Sequence, residues 1–428
     1  MSPEAVALGI SKTILEILKV SWWALLPLGL FFIWREFWLW GLNRLWKKKQ
    51  EWILLELKIP RNILKTPKAM ENVFSALHAI YIRPMSFEDV YFKGEELYWF
   101  TCELVGYAGG VNFYIRCLKG FRNLVESSIY SEYPDTEIVE VEDYTDLMPE
   151  VLPNDVYDLW GNDFVLAKDN SYPIQTYEFF EANVEEQRLD PISAITEAMS
   201  RLKEGEAIWL QYLLRPVSDE WKKEGEALRD KIMQRKKEKE AGWLESIVQG
   251  LVQFLKNLSL ASIEHPTWPE TAKKEKEYKL MEFLSPGERK VLEGIENKIS
   301  KLGFEAAIRF IYIDRKDSFS RANISAVHGA MRQFNTQDMN SFRMISETAT
   351  YITSRLLTTE SWFREQKVYY KKRMIYDLYR LRWFPPKASV LNTEELATVF
   401  HFPLITVEAP LLRRVEAKKG EPPANLPI

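Results

Sequence analysis

Cysteine and histidine are scarce, with two of the first and four of the second in 428 residues. Cys102 and Cys117 both fall in strand-like stretches, which points to two buried, reduced thiols rather than a disulfide framework. His78, His265, His328 and His401 show no metal-ligand spacing with one another or with the cysteines, so no metal is expected. An excess of charge of one sign is also missing. Lys and Arg number 57 against 61 Asp and Glu, a net charge of −4, so no basic field argues for bulk nucleic-acid binding. No P-loop, strand–GxGxxG–helix, H-E-x-x-H, paired CxxC or G-x-S-x-G pattern occurs. Gly106, Gly109 and Gly110 belong instead to a hairpin. The acidic run Glu140, Glu142, Asp143 and Asp146 reads as a solvated strand end in preference to a hard-cation site. Without a nucleotide cradle the chain is expected to have no catalytic activity of its own and no cofactor.

What the sequence does have is VSWWALLPLGLFFIWREFWLWGL at residues 20–42. Ser21 to Trp34 carries no charge, and a helix from Val20 to Trp40 would be about 31 Å long, close to one hydrocarbon core. Trp22, Trp23, Trp34, Trp38 and Trp40 cluster towards its ends, where an indole keeps its ring in the acyl boundary and its N–H in water. Arg44, Lys47, Lys48 and Lys49 follow, whereas Lys12 and Lys19 upstream are offset by Glu4 and Glu16. This pattern predicts a single membrane-spanning helix with the bulk of the chain on the cytoplasmic side. The competing reading is a buried core helix, because Arg35–Glu36 interrupts the apolar run.

The fold class expected is α+β, in five regions. Residues 1–49 form an N-terminal helix and membrane anchor. Residues 50–150 read as strand 51–60, helix 66–80, strands 96–105 and 111–118 joined by a glycine hairpin, helix 121–133 and strand 136–144. That β-α-β-β-α-β order is the ferredoxin-like unit. Residues 151–315 read as a second, interrupted copy: strand 173–180, a helix opened by Asp190–Pro191, strand 206–217, a helix with the capping box Ser285–Glu288, and strand 304–313. Its insertion at 218–280 holds a charged helix over 221–240 and an amphipathic one over 243–260. The second of these suits either docking on the body or contact with a membrane or partner. Residues 316–389 are helical, and residues 390–428 are a short helix capped by Asn392 with Glu395 at N3, then an extended basic tail.

Helix 361–384 is the one basic and aromatic constellation. Arg364, Lys367, Lys371, Lys372, Arg373, Arg380 and Arg382 are interleaved with Trp362, Phe363, Tyr369, Tyr370, Tyr376, Tyr379, Trp383 and Phe384. Cations for phosphates and rings for bases are how single strands are gripped without sequence readout. Aromatics spaced three and four apart also describe a helix docked on a body with a solvated basic face.

The segments VLNTEELATVFHFP (390–403) and APLLRRVEAKKGEPPANLPI (409–428) resemble the stretch that leads into the motor domain of conjugation-type DNA-translocating ATPases of type IV secretion systems. LLELKIPRNILKTPKAMENVFSALHAI (54–80) and FYIRCLKGFRNLVESSIYSEYPDTEIVEVEDY (113–144) are similar to the region upstream of that motor. In that family a P-loop domain follows a segment like PPANLPI, and none is present in this sequence, so no catalytic residue carries over. The resemblance implies an anchoring part whose partner is a P-loop ATPase on a separate chain, with 390–428 as the docking element. Glu394, Glu395, Phe400, Arg413 and Arg414 are its candidate contacts. The function expected is a membrane-anchored, non-catalytic scaffold of a secretion or conjugation-like apparatus at the cytoplasmic membrane. The alternative is a membrane-tethered nucleic-acid-binding protein using helix 361–384. DNA and a second copy of the chain are further candidate partners.

Overall fold

The computed structural model describes residues 3–60, 65–81, 86–181, 190–233, 285–351, 361–403 and 414–415. A long helix, α1 (Pro3–Lys49), leads into strand β1 (Trp52–Pro60) and helix α2 (Pro67–Leu77), which carries Pro67 at its first turn. Strands β2 (Phe100–Tyr107) and β3 (Gly110–Leu118) form a hairpin. Gly110 closes it with φ of 125°, a backbone conformation that a Cβ disfavours. Helix α3 (Arg122–Glu132) and strand β4 (Glu137–Val141) follow. Side by side the strands run β4-β1-β3-β2, each antiparallel to its neighbour.

The second half repeats that plan. It comprises β5 (Tyr157–Leu166), α4 (Tyr177–Glu181), α5 (Ser193–Ser200), β6 (Ala207–Pro216), α6 (Lys222–Ile232), α7 (Pro286–Ile299), β7 (Gly303–Arg315), α8 (Arg321–Arg332) and β8 (Phe342–Met344). Its strands lie in the order β6-β7-β5-β8, again antiparallel. If each half numbers its own strands one to four, both have the order 4-1-3-2. They meet through their second strands, β2 against β6, over eight residue pairs from Phe100–Leu214 to Tyr107–Ala207. One continuous sheet results, palindromic about the β2–β6 seam. The chain then forms α9 (Ser361–Arg380), β9 (Ser389–Asn392), α10 (Thr393–Val399) and the short β10 (Arg414–Val415), which pairs with the end of β1.

One face of the sheet is covered by α2, α3, α5, α8 and α10 around an apolar core that includes Phe74, Phe113, Ile129, Met199, Tyr212, Val327 and Phe400. The other face is covered by α9 and residues 143–152, through Tyr144, Leu152, Trp209, Ile375, Tyr376 and Tyr379.

Several expectations need correction. PIQTYEFF (173–180) is no strand: residues 173–176 have no regular secondary structure, and Tyr177–Glu181 is helical. The first strand of the second half is β5, which the pattern hides because Gly161, Asn162 and Asp163 sit in its middle and disfavour strands. Residues 316–389 are not a separate helical region, since α8 and β8 complete the second half and α9 lies across the sheet. The tail from Val390 to Phe402 is interior: β9 pairs with β7, and α10 packs on α2 beneath a capping box closed by Asn392 and Glu395. Among the described residues, no helix is long and apolar enough to cross a membrane, so the spanning helix expected over Val20–Trp40 is not borne out as a span. The 243–260 helix lies outside the described residues.

Candidate functional site

Alternation along four neighbouring strands brings one polar residue from each to the face beneath α9. Glu103 on β2 is the register partner of Gln211 on β6, Gln211 of Arg309 on β7, and Arg309 of Asp163 on β5. All four are fully buried. No single segment carries this row. It exists because the palindromic sheet aligns Glu103 with Gln211, Gln211 with Arg309 and Arg309 with Asp163, residues far apart in the chain.

Buried charge is costly unless paired and hydrogen-bonded, and here each is. Arg309 holds Asp163 with both arms of its guanidinium, at 2.8 and 3.1 Å. Gln211 donates to Glu103 at 2.9 Å, as does Thr101 at 2.7 Å and the Tyr144 hydroxyl at 2.6 Å. Arg382 then reaches Glu103 at 3.1 and 3.3 Å and also grips Asp143. Burial alone pushes the Glu103 carboxyl up, but the Arg382 charge and these hydrogen bonds leave it below the usual carboxylate range. Asp143 is lowered in the same way against its own burial. Burial raises the Tyr144 and Tyr379 hydroxyls well above the ordinary phenol range, and they bond each other at 2.8 Å.

The row has a mechanical object, the C-terminus of α9. Trp383 N–H donates to the Leu378 carbonyl, and Arg382 N–H to that of Tyr379. These are the two bonds of a Schellman cap. The cap puts its C′ residue in the left-handed region, where glycine is usual; here Arg382 stands there with φ of 46°. The strain of a side chain in that conformation, about 1–2 kcal/mol, is offset by its two carboxylate partners, buried Glu103 and half-buried Asp143. Arg309 adds a bond to the Leu378 carbonyl at 2.8 Å, and Gln211 one to that of Tyr379 at 3.4 Å. The polar row is therefore a socket that receives the end of one helix. Its ionised groups are engaged with one another and with α9, which leaves none of them free for acid–base work. Among the described residues, no group of three or more His, Cys, Asp or Glu is placed to hold a metal ion.

The candidate nucleic-acid residues divide accordingly. Arg382 is interior. Arg380 pairs with Asp146 at 3.0 Å, and Lys372 contacts both oxygens of Asp158 at 2.6 and 2.7 Å. Lys371 donates to the carbonyls of Ser346, Ala349 and Tyr351. Arg373 is half-buried, and Arg364 and Lys367 are exposed on the first half of α9 beside exposed Phe363, Tyr369 and Tyr370. A groove of about 1050 Å³ runs there, lined by Asp155 and Asp158 as well as Lys316 and Arg364, so its charge is mixed. In the acidic run, Glu140 pairs with Arg122, Glu142 is exposed and Asp146 pairs with Arg380, but Asp143 is drawn into the socket by Arg382 and is not a solvated strand end.

The candidate docking residues are mostly interior. Glu395 pairs with fully buried Lys298 at 3.0 Å, Glu394 pairs with Lys301 at 2.6 Å, and Phe400 is enclosed by Phe74, Phe113 and Tyr212. Arg414 lies in β10, and Arg413 is outside the described residues. Cys102 and Cys117 are free and buried, and burial pushes the Cys117 thiol up to about 12.

The candidate anchor residues behave differently along α1. Trp23, Trp34, Trp38 and Trp40 are 66%, 55%, 44% and 53% exposed; the Trp22 side chain is outside the described set. Towards its C-terminus α1 docks on the body. Trp46 is buried and stacked on Tyr98, and Lys47 pairs with Glu96 at 2.9 Å and sits 4.0 Å above the Trp383 ring. Lys48 and Lys49 remain exposed.

No curated protein matches the chain. Residues 102–410, a stretch that opens inside β2 and covers the polar row and its socket, match a family described as a domain of unknown function, DUF8128. With well over half its length in that match, the chain belongs to the DUF8128 family.

Proposed function

We propose that this protein is a membrane-anchored, non-catalytic scaffold whose body is held at the cytoplasmic face by the α1 arm. The supporting observation is the distribution of apolar exposure on that arm. Leu30, Phe31, Phe32, Ile33 and Trp34 are consecutive and each 50–56% exposed. Five residues at 100° apiece turn through more than a full circle, so every side of the helix is apolar and uncovered. A helix docked on a protein hides one stripe; one that is apolar all round belongs in a core or in lipid. Leu26, Leu28, Phe37, Trp38 and Trp40 extend the same surface. Arg35 and Glu36 neutralise one another in an ion pair of 2.5 Å, which lowers the cost of carrying both into the apolar boundary.

The two halves of the body are read as paired ferredoxin-like units. The partner class, a P-loop ATPase of a type IV secretion or conjugation-like apparatus, rests on the resemblance of segments 54–80, 113–144, 390–403 and 409–428. Because Val390–Phe402 is core, docking in this reading falls to residues 404–428. Full-length protein mixed with phosphatidylcholine–phosphatidylglycerol vesicles should float in a density gradient and resist high-salt extraction. Protein that stays at the bottom would end the anchor reading. Deletion of 404–428 should abolish co-purification of a P-loop ATPase from native membranes without loss of flotation.

The second reading, single-stranded nucleic acid on the first half of α9, is supported by Arg364 and Lys367 beside Phe363, Tyr369 and Tyr370. It predicts oligonucleotide affinity that falls with salt, and a several-fold further loss in a Tyr370→Ala/Lys367→Ala variant. Anisotropy that stays flat at low salt would remove it.

A further inference from the structure

We infer that residues 86–94 form a second lipid contact, a collar that seats Phe87 and Phe92 in the headgroup–acyl boundary and fixes the tilt of the body on the membrane. The inference rests on the anchor reading of α1 and adds a surface that no feature of the arm contains. Phe87 and Phe92 are 70% and 67% exposed, among the most exposed large apolar side chains described. They are not loose. Phe87 stacks on Tyr91 at 4.4 Å and meets Phe92 edge to face at 6.4 Å, so three rings form one surface cluster.

The turn that carries them is built to hold that shape. Ser86 Oγ donates to Asp89 at 2.7 Å while Asp89 N–H donates back to Ser86, and Lys93 closes on Asp89 at 2.8 Å. Gly94 ends it at φ of 65°, where a Cβ would also stand 2.5 Å from the Leu42 carbonyl carbon. The turn is pinned to α1: Trp38 donates its indole N–H to the Tyr91 carbonyl at 3.0 Å, and Gly94 lies against Leu42. A rigid turn that presents two phenylalanines to water forgoes the stabilisation that burying each ring would bring.

Position along α1 identifies the occupant as lipid. The turn flanks the helix between Trp38 and Leu42, where Phe37, Trp38 and Trp40 are exposed at the same height and just below the Arg35–Glu36 pair. From Trp34 to Leu42 the helix rises about 12 Å, on the order of one interfacial zone. Aromatic rings favour that zone. Exposed Arg44, Lys48 and Lys49 follow on the body side, where anionic headgroups would meet them. The apolar surface of the arm and that of the turn are thus continuous, with cations along one border.

Single F87C and F92C variants of the full-length chain, labelled with the fluorophore NBD, test this in phosphatidylcholine–phosphatidylglycerol vesicles. Buried Cys102 and Cys117 will not compete for label, and K290C, on an exposed position of α7, is the reference site. Labels at 87 and 92 should brighten several-fold on vesicle addition and be quenched by lipid bearing a shallow nitroxide at least three times more strongly than the label at 290. If the protein floats but these labels are quenched by aqueous iodide as strongly as the one at 290, the collar is wrong and the anchor stands. Shielding from both quenchers would mean that protein covers the turn, which also overturns the collar. Failure to float removes the anchor, and the collar with it.

Discussion

The two faces of the sheet are stabilised by opposite means. On one, α2, α3, α5, α8 and α10 bury rings that meet edge to face, such as Phe400 against Phe74 and Phe113 at 6.3 and 5.9 Å. On the other, α9 ends on a row of four buried polar side chains. Apolar packing is non-directional and tolerates repacking of similar volume. A hydrogen-bonded charge row is unforgiving of a missing member and specifies one position for the helix it caps. The difference teaches where this molecule places its specificity: in positioning α9, the helix whose first half is largely exposed and whose last turn is locked.

The largest contrast should come from Arg309. R309A strands Asp163 in the interior and should cost about 3–5 kcal/mol in urea unfolding of the detergent-solubilised chain. An R309M/D163L double variant should recover most of that loss. If the double variant is as unstable as the single, shape rather than charge pairing governs this face. R382G comes next. It relieves a left-handed side chain worth about 1–2 kcal/mol but leaves Glu103 and Asp143 unpaired, so a net loss of about 1–3 kcal/mol is expected. A gain in stability would show that the socket does not need its arginine. On the apolar face F400L should cost only about 1–1.5 kcal/mol, because its neighbours can close around a smaller side chain.

The smallest effect separates the faces by pH. His328 packs on Trp160 and Phe164, and burial pushes its imidazole down to about 4 from 6.5. The unfolded chain therefore binds a proton that the folded one refuses, and stability falls as pH drops from 6.5 towards 4. H328L should flatten the unfolding profile across that window alone. Glu103 and Asp143, held below the usual carboxylate range, contribute stability that is complete above that range and is lost as pH falls through their lowered values. E103Q should change the profile only at the acid end. A variant that altered both windows together would mean the two faces unfold as one electrostatic unit.

Much of the architecture was legible in the pattern of residues. Branched residues in β1, β6 and β7, the glycine hairpin between β2 and β3, the Ser285–Glu288 box and the Asn392–Glu395 box each state a local preference strong enough to survive folding. Where local preference is weak the reading failed. Gly161-Asn162-Asp163 disguises β5, and the aromatic run Tyr177–Phe180 imitates a strand while forming a helix. Arg382 looked like one more cation on a basic helix. Its burial depends on Glu103 and Asp143, 279 and 239 positions away, and no periodicity reports such a distance.

By itself the sequence determined the apolar arm, the alternating strands and the helices that cap themselves, because those follow from hydropathy and backbone chemistry within a dozen residues. Only the tertiary structure decided that both halves share one sheet, that residues 389–402 lie in the interior, and that four scattered polar residues become a socket. Those outcomes depend on strand register, which is settled by packing between segments that meet only in the folded chain.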